Sequence, residues 1–434
     1  MPENKNISII GGGILGMGLS LELTKKGYHV SLFEAANSLG GLASPWQIND
    51  ITWDKFYHVI LMSDSYTLKL LEEIGLKEHM NWVATKTGFY TEGKLYSMSN
   101  SFEFLRFPPL GLIDKFRLGL TILAASRIKD WKRLEKIYVA AWLTKWSGKN
   151  TFEKMWLPLL RAKLGDYYKQ TSASFIWATI QRMYAARRSG LKKEMFGYAD
   201  GGYASILDAF SKKLSMAGVE VHTGHAIKEI ISNEGELSLD FLNGNKYITS
   251  QCIVTLPSPI AASICTKLSV KEKEQLNNVQ YLGVICVSIL LKKSISPYYV
   301  TNITDTWVPF TGVIEMSALV DKKNFKDNAL IYLPKYLAPD DPMFSKSDEE
   351  IELEFKSALM KMYPFIIEDD IIFTKTARAR SVFALPGINY SENLSPVKTS
   401  VPGLYIVNSS YITNGTLNVN ETMQLADKIS KTQF

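Results

Sequence analysis

The sequence is poor in cysteine, and its cysteines form no recognisable pairs. Cys252, Cys265 and Cys286 lie in apolar surroundings, with no CxxC spacing and no even framework. This pattern favours a reducing compartment, in which free thiols serve as small core residues. A basic-then-apolar leader and an uncharged apolar run of about 18 residues are also missing, so we expect no signal peptide, no membrane-spanning helix and a cytoplasmic location.

The sequence also has a small net charge and lacks several common catalytic motifs. The formal net charge is +6 in 434 residues, and the basic residues form no tract typical of nucleic-acid binding. His222 and His225 have an HxxH spacing, but no nearby carboxylate or cysteine completes a ligand set, so we expect no metal. Walker loops, nucleophile elbows and serine-triad signatures are missing too. The sequence therefore excludes nucleic-acid binders, P-loop enzymes and serine hydrolases.

Length and composition indicate a large globular protein. Hydrophobic residues make up 46% of the chain and charged residues 21%, which excludes extensive disorder and allows a large core. A chain of 434 residues exceeds the usual size of a single core. We therefore expect two lobes whose segments interleave along the chain.

The most informative stretch lies near the N-terminus. A β-branched run at 7–10 precedes a glycine turn, a helix is expected at about 14–26, and a second strand at 28–33 ends before Glu34. The turn itself reads Gly11-Gly12-Gly13-Ile14-Leu15-Gly16. A strand, glycine turn, helix and strand followed by an acid predict a Rossmann-like unit that binds a dinucleotide.

Each residue type in this unit has a structural role in binding a dinucleotide. Gly11 permits the tight turn, Gly13 lets the backbone approach a pyrophosphate, and Gly16 lets the helix lie close to the strand. The helix that begins at Ile14 directs its positive N-terminus at the phosphates. Glu34 is expected to bind ribose hydroxyls.

A glycine doublet after Glu34 identifies the dinucleotide. Gly40 and Gly41 are followed by Leu42 and Ala43, and this acid-then-doublet pattern resembles the large FAD-binding family that includes amine oxidases, protoporphyrinogen oxidases and phytoene desaturases. The doublet lets backbone amides crowd the flavin pyrophosphate. Members of that family often have a basic residue directly after the doublet. Because this chain has Leu42 there, that counter-charge is absent or comes from elsewhere.

Two later blocks are similar to the same family. In the first, a helix at about 204–217 leads to strands at 219–222 and 226–230, and the resemblance places Ile227 near the adenosine. In the second, Asn408-Ser409 replaces the family's Gly-Asp, and the Ser409 hydroxyl is expected to bind the ribityl chain. A helix that begins near Asn418 directs its N-terminus at the flavin pyrimidine edge. The residues to which cofactor binding is assigned are Gly11, Gly13, Ile14, Leu15, Gly16, Glu34, Gly40, Gly41, Leu42, Ala43, Ile227, Ser409 and Asn418.

The resemblance implies an α/β fold with interleaved segments. A Rossmann-like, glutathione-reductase-like FAD-binding domain is expected from the discontinuous segments 1–65, 190–270 and 390–434. A helical lobe is expected at 66–189, because apolar residues recur there at helical spacing, with a break near Pro158. A sheet-containing substrate domain is expected at 271–389.

Candidate catalytic residues are few. Asp54 and His58 have an even spacing that places both on one face of a strand, and the family often has Asp-x-Gly-x-His here, whereas this chain has Phe56 in place of the glycine. His58 either orients a loop over the cofactor or transfers a proton. Arg378 and Arg380 alternate along a strand and either grip a substrate phosphate or carboxylate or form a solvated edge. No lysine spacing identifies a flavin-adjacent lysine.

The resemblance implies an FAD-dependent oxidoreductase. Non-covalently bound FAD would take a hydride from a C–N or C–C bond of a small or lipid-like substrate and pass the electrons to an external acceptor. One alternative is a non-redox flavoenzyme of the UDP-galactopyranose mutase type, since residues 57–60 are faintly similar to a segment of that family. Another is an inactive scaffold stabilised by FAD. The oligomeric state stays open.

A stretch at 102–134 mixes aromatic and apolar side chains with cations. Phe104 and Phe107 are among its apolar members, and Arg106, Lys115 and Arg117 are among its cations. This composition suits a peripheral surface that rests on an anionic membrane. The alternative is an ordinary helical lobe with a solvated basic face.

Overall fold

The computed structural model describes residues 5–185, 195–233 and 235–434. The strands of these ranges are β1 Asn6–Ile10, β2 His29–Phe33, β3 Pro45–Ile48, β4 Ile51–Asp54, β5 Ile60–Leu61, β6 Met80–Ala84, β7 Thr87–Thr91, β8 Lys94–Ser97, β9 Met195–Ala199, β10 Glu220–His222, β11 Ile227–Asn233, β12 Glu236–Phe241, β13 Lys246–Thr249, β14 Cys252–Val254, β15 Tyr281–Leu291, β16 Val300–Ile303, β17 Gly312–Glu315, β18 Ala329–Leu337, β19 Ile371–Ala384 and β20 Leu404–Ile406. The helices are α1 Ile14–Thr24, α2 Ser65–Glu73, α3 Ser101–Leu105, α4 Leu112–Arg127, α5 Val139–Ser147, α6 Lys149–Thr151, α7 Leu157–Leu164, α8 Ala173–Ala185, α9 Gly202–Met216, α10 Ser258–Ile264, α11 Val270–Asn277, α12 Asp348–Met362, α13 Tyr390–Asn393 and α14 Val419–Gln433.

A five-stranded parallel sheet has the order β10-β2-β1-β14-β20 and is assembled from distant parts of the chain. Central strand β1 is apolar on both faces, as parallel strands covered by other elements must be. Ile7 and Ile9 pack against the core of α1, α9 and α14, whereas Ile10 packs with the antiparallel sheet β11-β12-β13 and with α10. The strand order is that of a doubly wound fold, in which a ligand binds at the carboxyl ends of the strands.

A second, seven-stranded sheet has the order β19-β15-β18-β17-β16-β7-β8. Its strand β15 is buried along its whole length and pairs with both β18 and β19. Ile285 and Val287 face the core beneath α12, whereas Val284 and Cys286 face the opposite core, which also contains Trp53 of β4. This alternation places one face of the sheet against α12 and the other against the N-terminal segments.

Helices α4, α5, α7 and α8 form a separate apolar core. Leu118, Leu143, Leu160 and Trp177 are buried members of it. A π-helical turn at Phe152–Trp156 runs directly into α7, and Pro158 lies in the first turn of α7, so the missing proline N–H falls where the helix changes its hydrogen-bond pattern. None of the helices in the described ranges combines the length and the apolar character needed to cross a bilayer.

The region predicted as a helical lobe, 66–189, also contains strands. Strands β6, β7 and β8 lie within it, and β7 and β8 extend the seven-stranded sheet by pairing with β16. The helical periodicity after residue 101 is real, but Phe89 and Tyr90 form a short aromatic run that packs as strand. The predicted boundary at 189 and 190 lies outside the described residues, and the remaining domain limits stay predictions.

The tight turn after β1 yields a stability prediction. Gly11 has a φ of +108°, and a Cβ on it would overlap the Thr255 hydroxyl. Gly11→Ala should therefore destabilise the fold by about 2–3 kcal/mol. Gly119→Ala is the control: it lies inside α4, and a methyl group there would meet no atom within 4 Å, so alanine should stabilise that helix by about 0.5–1 kcal/mol. Thermal melting followed by circular dichroism measures both, and equal melting temperatures would contradict the prediction.

Candidate functional site

The glycine turn is held by its own backbone. The Gly11 N–H donates to the Phe33 carbonyl oxygen at 2.8 Å, which ties the turn to the end of β2. A Cβ on Gly16 would overlap the Gly11 carbonyl oxygen. Helix α1 can therefore approach β1 only because residue 16 has no side chain.

The N-terminus of α1 has the properties of an anion-binding site. No side chain caps the helix, and its first turn contains no acidic residue, so its first N–H groups lack an intrahelical partner. Ile14 and Leu15 supply two of these groups, and their side chains are packed into the core. A Cβ on Gly13 would meet only the Gly41 Cα, at 4.0 Å. The space in front of the helix is thus open to a phosphate.

The glycine doublet is brought against this turn. The Gly40 N–H donates to the Gly12 carbonyl oxygen at 2.8 Å. A Cβ on Gly41 would lie 3.1 Å from the Gly13 Cα, and a Cβ on Gly40 would lie 2.6 Å from Leu207 of α9. Both positions therefore require glycine, as the sequence predicts for a backbone that approaches a pyrophosphate closely.

Glu34 lies at the end of β2 beside the same turn. Its carboxylate accepts the Gly12 N–H at 2.6 Å and the Ala36 N–H at 2.8 Å. A carboxylate has about four acceptor positions, so two backbone bonds leave it able to accept from ribose hydroxyls. The His225 N–H donates to the Glu34 carbonyl oxygen at 2.8 Å, which brings the returning segment that leads to Ile227 next to the acid.

The segment after the doublet has no cation of its own. Ala43 is buried and Leu42 is half-buried in a short 3₁₀ helix. A cation from another segment lies nearby: Lys55 follows β4, and its Nζ atom lies 3.3 Å from the Ser44 hydroxyl oxygen. Lys55 therefore brings a cation to the segment in which Leu42 stands in place of a basic residue.

In the loop after β20, Asn408 and Ser409 stand where the resembling family has Gly-Asp, and the two side chains make different contacts. Asn408 is buried, donates to the Leu256 carbonyl oxygen at 2.8 Å and accepts from the Ser410 N–H at 3.0 Å. Ser409 is half-buried and lines a small cleft between α8, the end of β19 and the loop that precedes α14. Asn408 thus holds the loop, and Ser409 is the residue that can contact a ligand.

Helix α14 begins next to this loop. Asn418 is its N-cap and accepts the Glu421 N–H at 3.0 Å, as the sequence predicts for a helix that begins near this residue. The open cradle at Gly13, the acid at Glu34 and the polar lining at Ser409 fit the phosphates, ribose and ribityl chain of FAD. The assignment of individual residues to FAD contacts stays a prediction.

Asp54 and His58 come together although they do not share a strand. β4 ends at Asp54, and the loop that follows brings His58 Nδ1 to 3.8 Å from the Asp54 Oδ2 atom. Burial raises the pKa of Asp54 to about 8, against the smaller opposing effect of the Tyr203 N–H bond. Burial lowers the pKa of His58 to about 4. Both groups are therefore neutral at pH 7, and the contact is not an ion pair.

Sequence reasoning missed a polar cluster beside His58. The Tyr57 and Tyr336 hydroxyl oxygens are 2.9 Å apart, and Lys163 Nζ lies 3.3 Å from the centre of the Tyr336 ring. Tyr332 donates from its hydroxyl to the Asp54 carbonyl oxygen at 2.6 Å. These residues lie far apart in sequence, and no spacing signals them, because a lysine in an amphipathic helix is ordinarily solvent-exposed.

The structure does not bring Arg378 and Arg380 to this cluster. β19 is an edge strand, as one of the two sequence interpretations expects. Arg378 pairs with Asp348 at the start of α12, and Arg380 donates to the Pro339 carbonyl oxygen and covers the Phe344 ring at 4.7 Å. Phe344 belongs to the core beneath α12. Both arginines therefore lie on the sheet face opposite to Asp54, which is at odds with an anion-binding role beside His58.

His222 at the end of β10 and His225 just after it belong to an aromatic cluster. The His222 ring stacks on Phe33 at 4.7 Å, and the rings of His222 and His225 are 5.6 Å apart. Among the residues that the structure describes, no group of three or more His, Cys, Asp or Glu side chains could hold a metal ion. The three cysteines are free and buried, as expected of core residues.

The raised pKa of Asp54 predicts a pH-dependent difference in stability. Between about pH 4 and pH 8 the folded state keeps a proton that the unfolded state releases, so the wild type loses stability as the pH rises through this range. Asp54→Asn keeps the acceptor for Tyr203 and removes this loss. Urea unfolding at about pH 5 and about pH 8 gives the free energy of unfolding of both proteins. From the lower to the higher pH, the stability of Asp54→Asn relative to the wild type should increase by about 2 kcal/mol or more.

The contribution of His58 is common to both proteins and cancels in this comparison. Asp208→Asn is the matched control, since the Asp208 side chain is 67% exposed. A stability difference between Asp54→Asn and the wild type that stays constant with pH would contradict a neutral, buried Asp54.

Comparison with known proteins agrees with this geometry. Zeta-carotene desaturase from Synechocystis sp. is 25% identical over 248 residues, which are 52% of this chain and 50% of the desaturase, so the chain spans about half the length of that relative. An oxidoreductase structure from Methanosarcina mazei aligns with a TM-score of 0.75 at 17% identity, over 98% of this chain and 100% of that one. A reduced UDP-galactopyranose mutase aligns with a TM-score of 0.74 at 15% identity, over 98% and 94%. These structures confirm the predicted fold class.

A family model gives the broadest match. It describes the flavin containing amine oxidoreductases and matches residues 16–416. It confirms the resemblance inferred from the glycine turn and the doublet, and it implies FAD as the cofactor. With a match that covers most of its length, this chain belongs to the flavin containing amine oxidoreductase family.

Proposed function

We propose that the protein is an FAD-dependent oxidoreductase that takes a hydride from a C–N or C–C bond of a small or lipid-like substrate. The observation that carries the proposal is the open cradle at the uncapped N-terminus of α1, bordered by Gly13, Gly41 and Glu34. The family match supports it. The electrons would leave to an external acceptor, because the sequence has no second dinucleotide fingerprint.

FAD supplies the hydride chemistry when it is bound, and the protein positions the reactants. Helix α1 and the glycine turn would hold the pyrophosphate, Glu34 the ribose and Ser409 the ribityl chain. His58 is neutral near pH 7 and packs at 4.8 Å from the Tyr203 ring, so its proposed role is to position the loop after β4. The neutral, largely aromatic surroundings exclude water from the reacting bond.

Anaerobic rapid mixing tests the proposed function. The FAD-loaded protein is mixed with amines, isoprenoids, porphyrinogens and nucleotide sugars, and bleaching of the flavin absorbance is recorded. Bleaching by one of these classes supports an oxidoreductase and names the substrate class. Turnover of a nucleotide sugar only after chemical reduction of the flavin would instead support the mutase alternative, and the absence of both would support a scaffold.

The cradle predicts the cofactor content of two Glu34 variants. Glu34→Arg places a cation among the Gly12 and Ala36 N–H groups and removes the acceptor for ribose, so the purified variant should be colourless. Glu34→Gln keeps an acceptor of the same shape and should retain much of the FAD. Absorbance of the purified proteins, before and after reconstitution with FAD, measures both. Equal flavin content in wild type and Glu34→Arg would place the acid away from the cofactor.

We also propose that α3 and α4 rest on an anionic membrane surface. Six large apolar side chains of these helices are between 46% and 77% exposed: Phe102, Leu105, Leu112, Ile113, Phe116 and Leu120. Exposed apolar patches of this kind commonly mark interaction sites. Arg106 stacks on Phe102 at 4.0 Å, and Arg117 and Arg127 are exposed on α4, so cations border the apolar face.

The structure corrects which side chains would reach the lipid. Phe107 is 2% exposed and Phe104 is half-buried, and both pack against the helical core. Their substitution would test folding rather than membrane contact. Phe116 and Ile113, at 69% and 77% exposed, are the informative positions.

Liposome sedimentation measures the membrane contact. The wild type should sediment with anionic vesicles at low salt and be released as salt rises, because screening weakens the attraction between cations and lipid. Phe116→Asp should weaken sedimentation several-fold. Leu353→Asp is the control, because Leu353 is a 64% exposed residue of helix α12. Failure of the wild type to bind at low salt would leave a water-soluble substrate as the better hypothesis.

A further inference from the structure

Three distant parts of the chain meet beside His58. Tyr57 follows β4, Lys163 lies near the end of α7, and Tyr336 lies near the end of β18. Tyr336 is partly buried against both the helical core and the core that contains Trp53. The Thr311 hydroxyl donates to the Ala162 carbonyl oxygen at 2.8 Å and fixes α7 on the sheet next to Lys163. This junction lies where the helical lobe, the seven-stranded sheet and the cofactor-binding segments contact one another.

Three side chains at this junction are partly covered by protein and partly accessible. Lys163, Tyr57 and Tyr336 each keep accessible surface and are half-buried. Burial nevertheless lowers the pKa of Lys163 to about 7 and raises that of Tyr57 to about 12. Each of these side chains therefore combines a desolvated environment with surface that a ligand can reach.

Lys163 has no carboxylate partner among the residues that the structure describes. Its ammonium group contacts the face of the Tyr336 ring at 3.3 Å, and desolvation alone accounts for the direction of its pKa shift. An ammonium group held in a desolvated place without a counter-ion destabilises the protein. Such a placement is expected where a ligand brings the negative charge.

The Tyr57–Tyr336 pair also supplies a hydrogen-bond donor. The two hydroxyl oxygens are 2.9 Å apart, so one hydroxyl donates to the other. The proton of the accepting hydroxyl stays free to donate elsewhere. The Lys163 ammonium lies on the ring of one member of this hydroxyl pair, so neighbouring side chains supply a cation and a phenol proton, a combination that suits an oxygen atom carrying negative charge.

We propose that Lys163, together with Tyr57 and Tyr336, is the subsite that binds an anionic group of the substrate, a carboxylate or a phosphate. This inference rests on the proposed function, since it names the class of substrate that the protein would accept. It proposes Lys163 in place of Arg378 and Arg380 as the anion-binding residue, because those arginines are engaged on the other face of the sheet. Asp54 and His58 are neutral near pH 7, so neither of them supplies a counter-charge to Lys163.

The experiment uses anionic probes and their neutral counterparts. Decanoate is compared with decanol, and UDP is compared with uridine, by the rise each causes in the melting temperature and by calorimetric titration. In the wild type, one of the two anions should bind at least about 10-fold more tightly than its neutral counterpart. The decanoate arm identifies a carboxylate site, and the UDP arm identifies a phosphate site.

Four variants separate the role of Lys163 from effects on folding. Lys163→Met should lose the anion preference, Lys163→Arg should retain it, and Tyr336→Phe should weaken it. Lys149→Met is the matched control in the same lobe, because the Lys149 side chain is 81% exposed. Without a ligand, Lys163→Met should melt no lower than the wild type, since it removes an unpaired ammonium.

The outcomes are distinguishable from those of the proposed function. Preference for an anion in the wild type and its loss in Lys163→Met support the subsite. Equal binding of anions and neutral counterparts, or an unchanged preference in Lys163→Met, would overturn it. FAD content is measured on the same samples, so a protein without flavin would contradict the proposed function, while the thermal-melting comparison would still decide the role of Lys163.

Discussion

The close approach of two glycine segments is the constraint on which the cofactor site depends. The turn at 11–16 and the doublet at 40–41 touch through backbone atoms, and side chains at these positions would overlap Thr255, the Gly11 carbonyl oxygen or Leu207. This contact fixes where β1 ends, how closely α1 approaches it and where α9 packs. It also leaves Gly13 facing open space. The cradle is therefore a consequence of backbone packing and not of any single binding side chain.

A second constraint is the alternation of side chains across the seven-stranded sheet. Successive residues of a strand face opposite sides, so Cys286 and Tyr332 face the N-terminal segments while Ile285 and Ile331 face α12. The same rule places Arg378 and Arg380 together on the α12 side. The sequence correctly indicated that the two arginines share a face. It could not indicate which face, because that depends on what covers the sheet.

Local sequence patterns predicted the secondary structure correctly where a single segment contains the whole pattern. The N-terminal strand–turn–helix unit and the helix that begins near Asn418 both match the structure. Strands β6, β7 and β8 were not predicted, because short aromatic runs between helices obey no helical period and take their structure from pairing with β9 and β16. Tertiary contact decides such segments.

The same limit explains why the glycine cradle was predictable and the proposed anion subsite was not. A dinucleotide is bound mainly by backbone, and backbone geometry leaves a contiguous glycine pattern in the sequence. The proposed subsite combines Tyr57, Lys163 and Tyr336, which come from three distant segments and are brought together only by the fold. Asp54, His58 and the tyrosines are neutral near pH 7, so the electrostatic character of this space depends on the protonation of one amine. An anion bound there would favour the charged amine, and the substrate would thereby complete the charge balance that the protein leaves open.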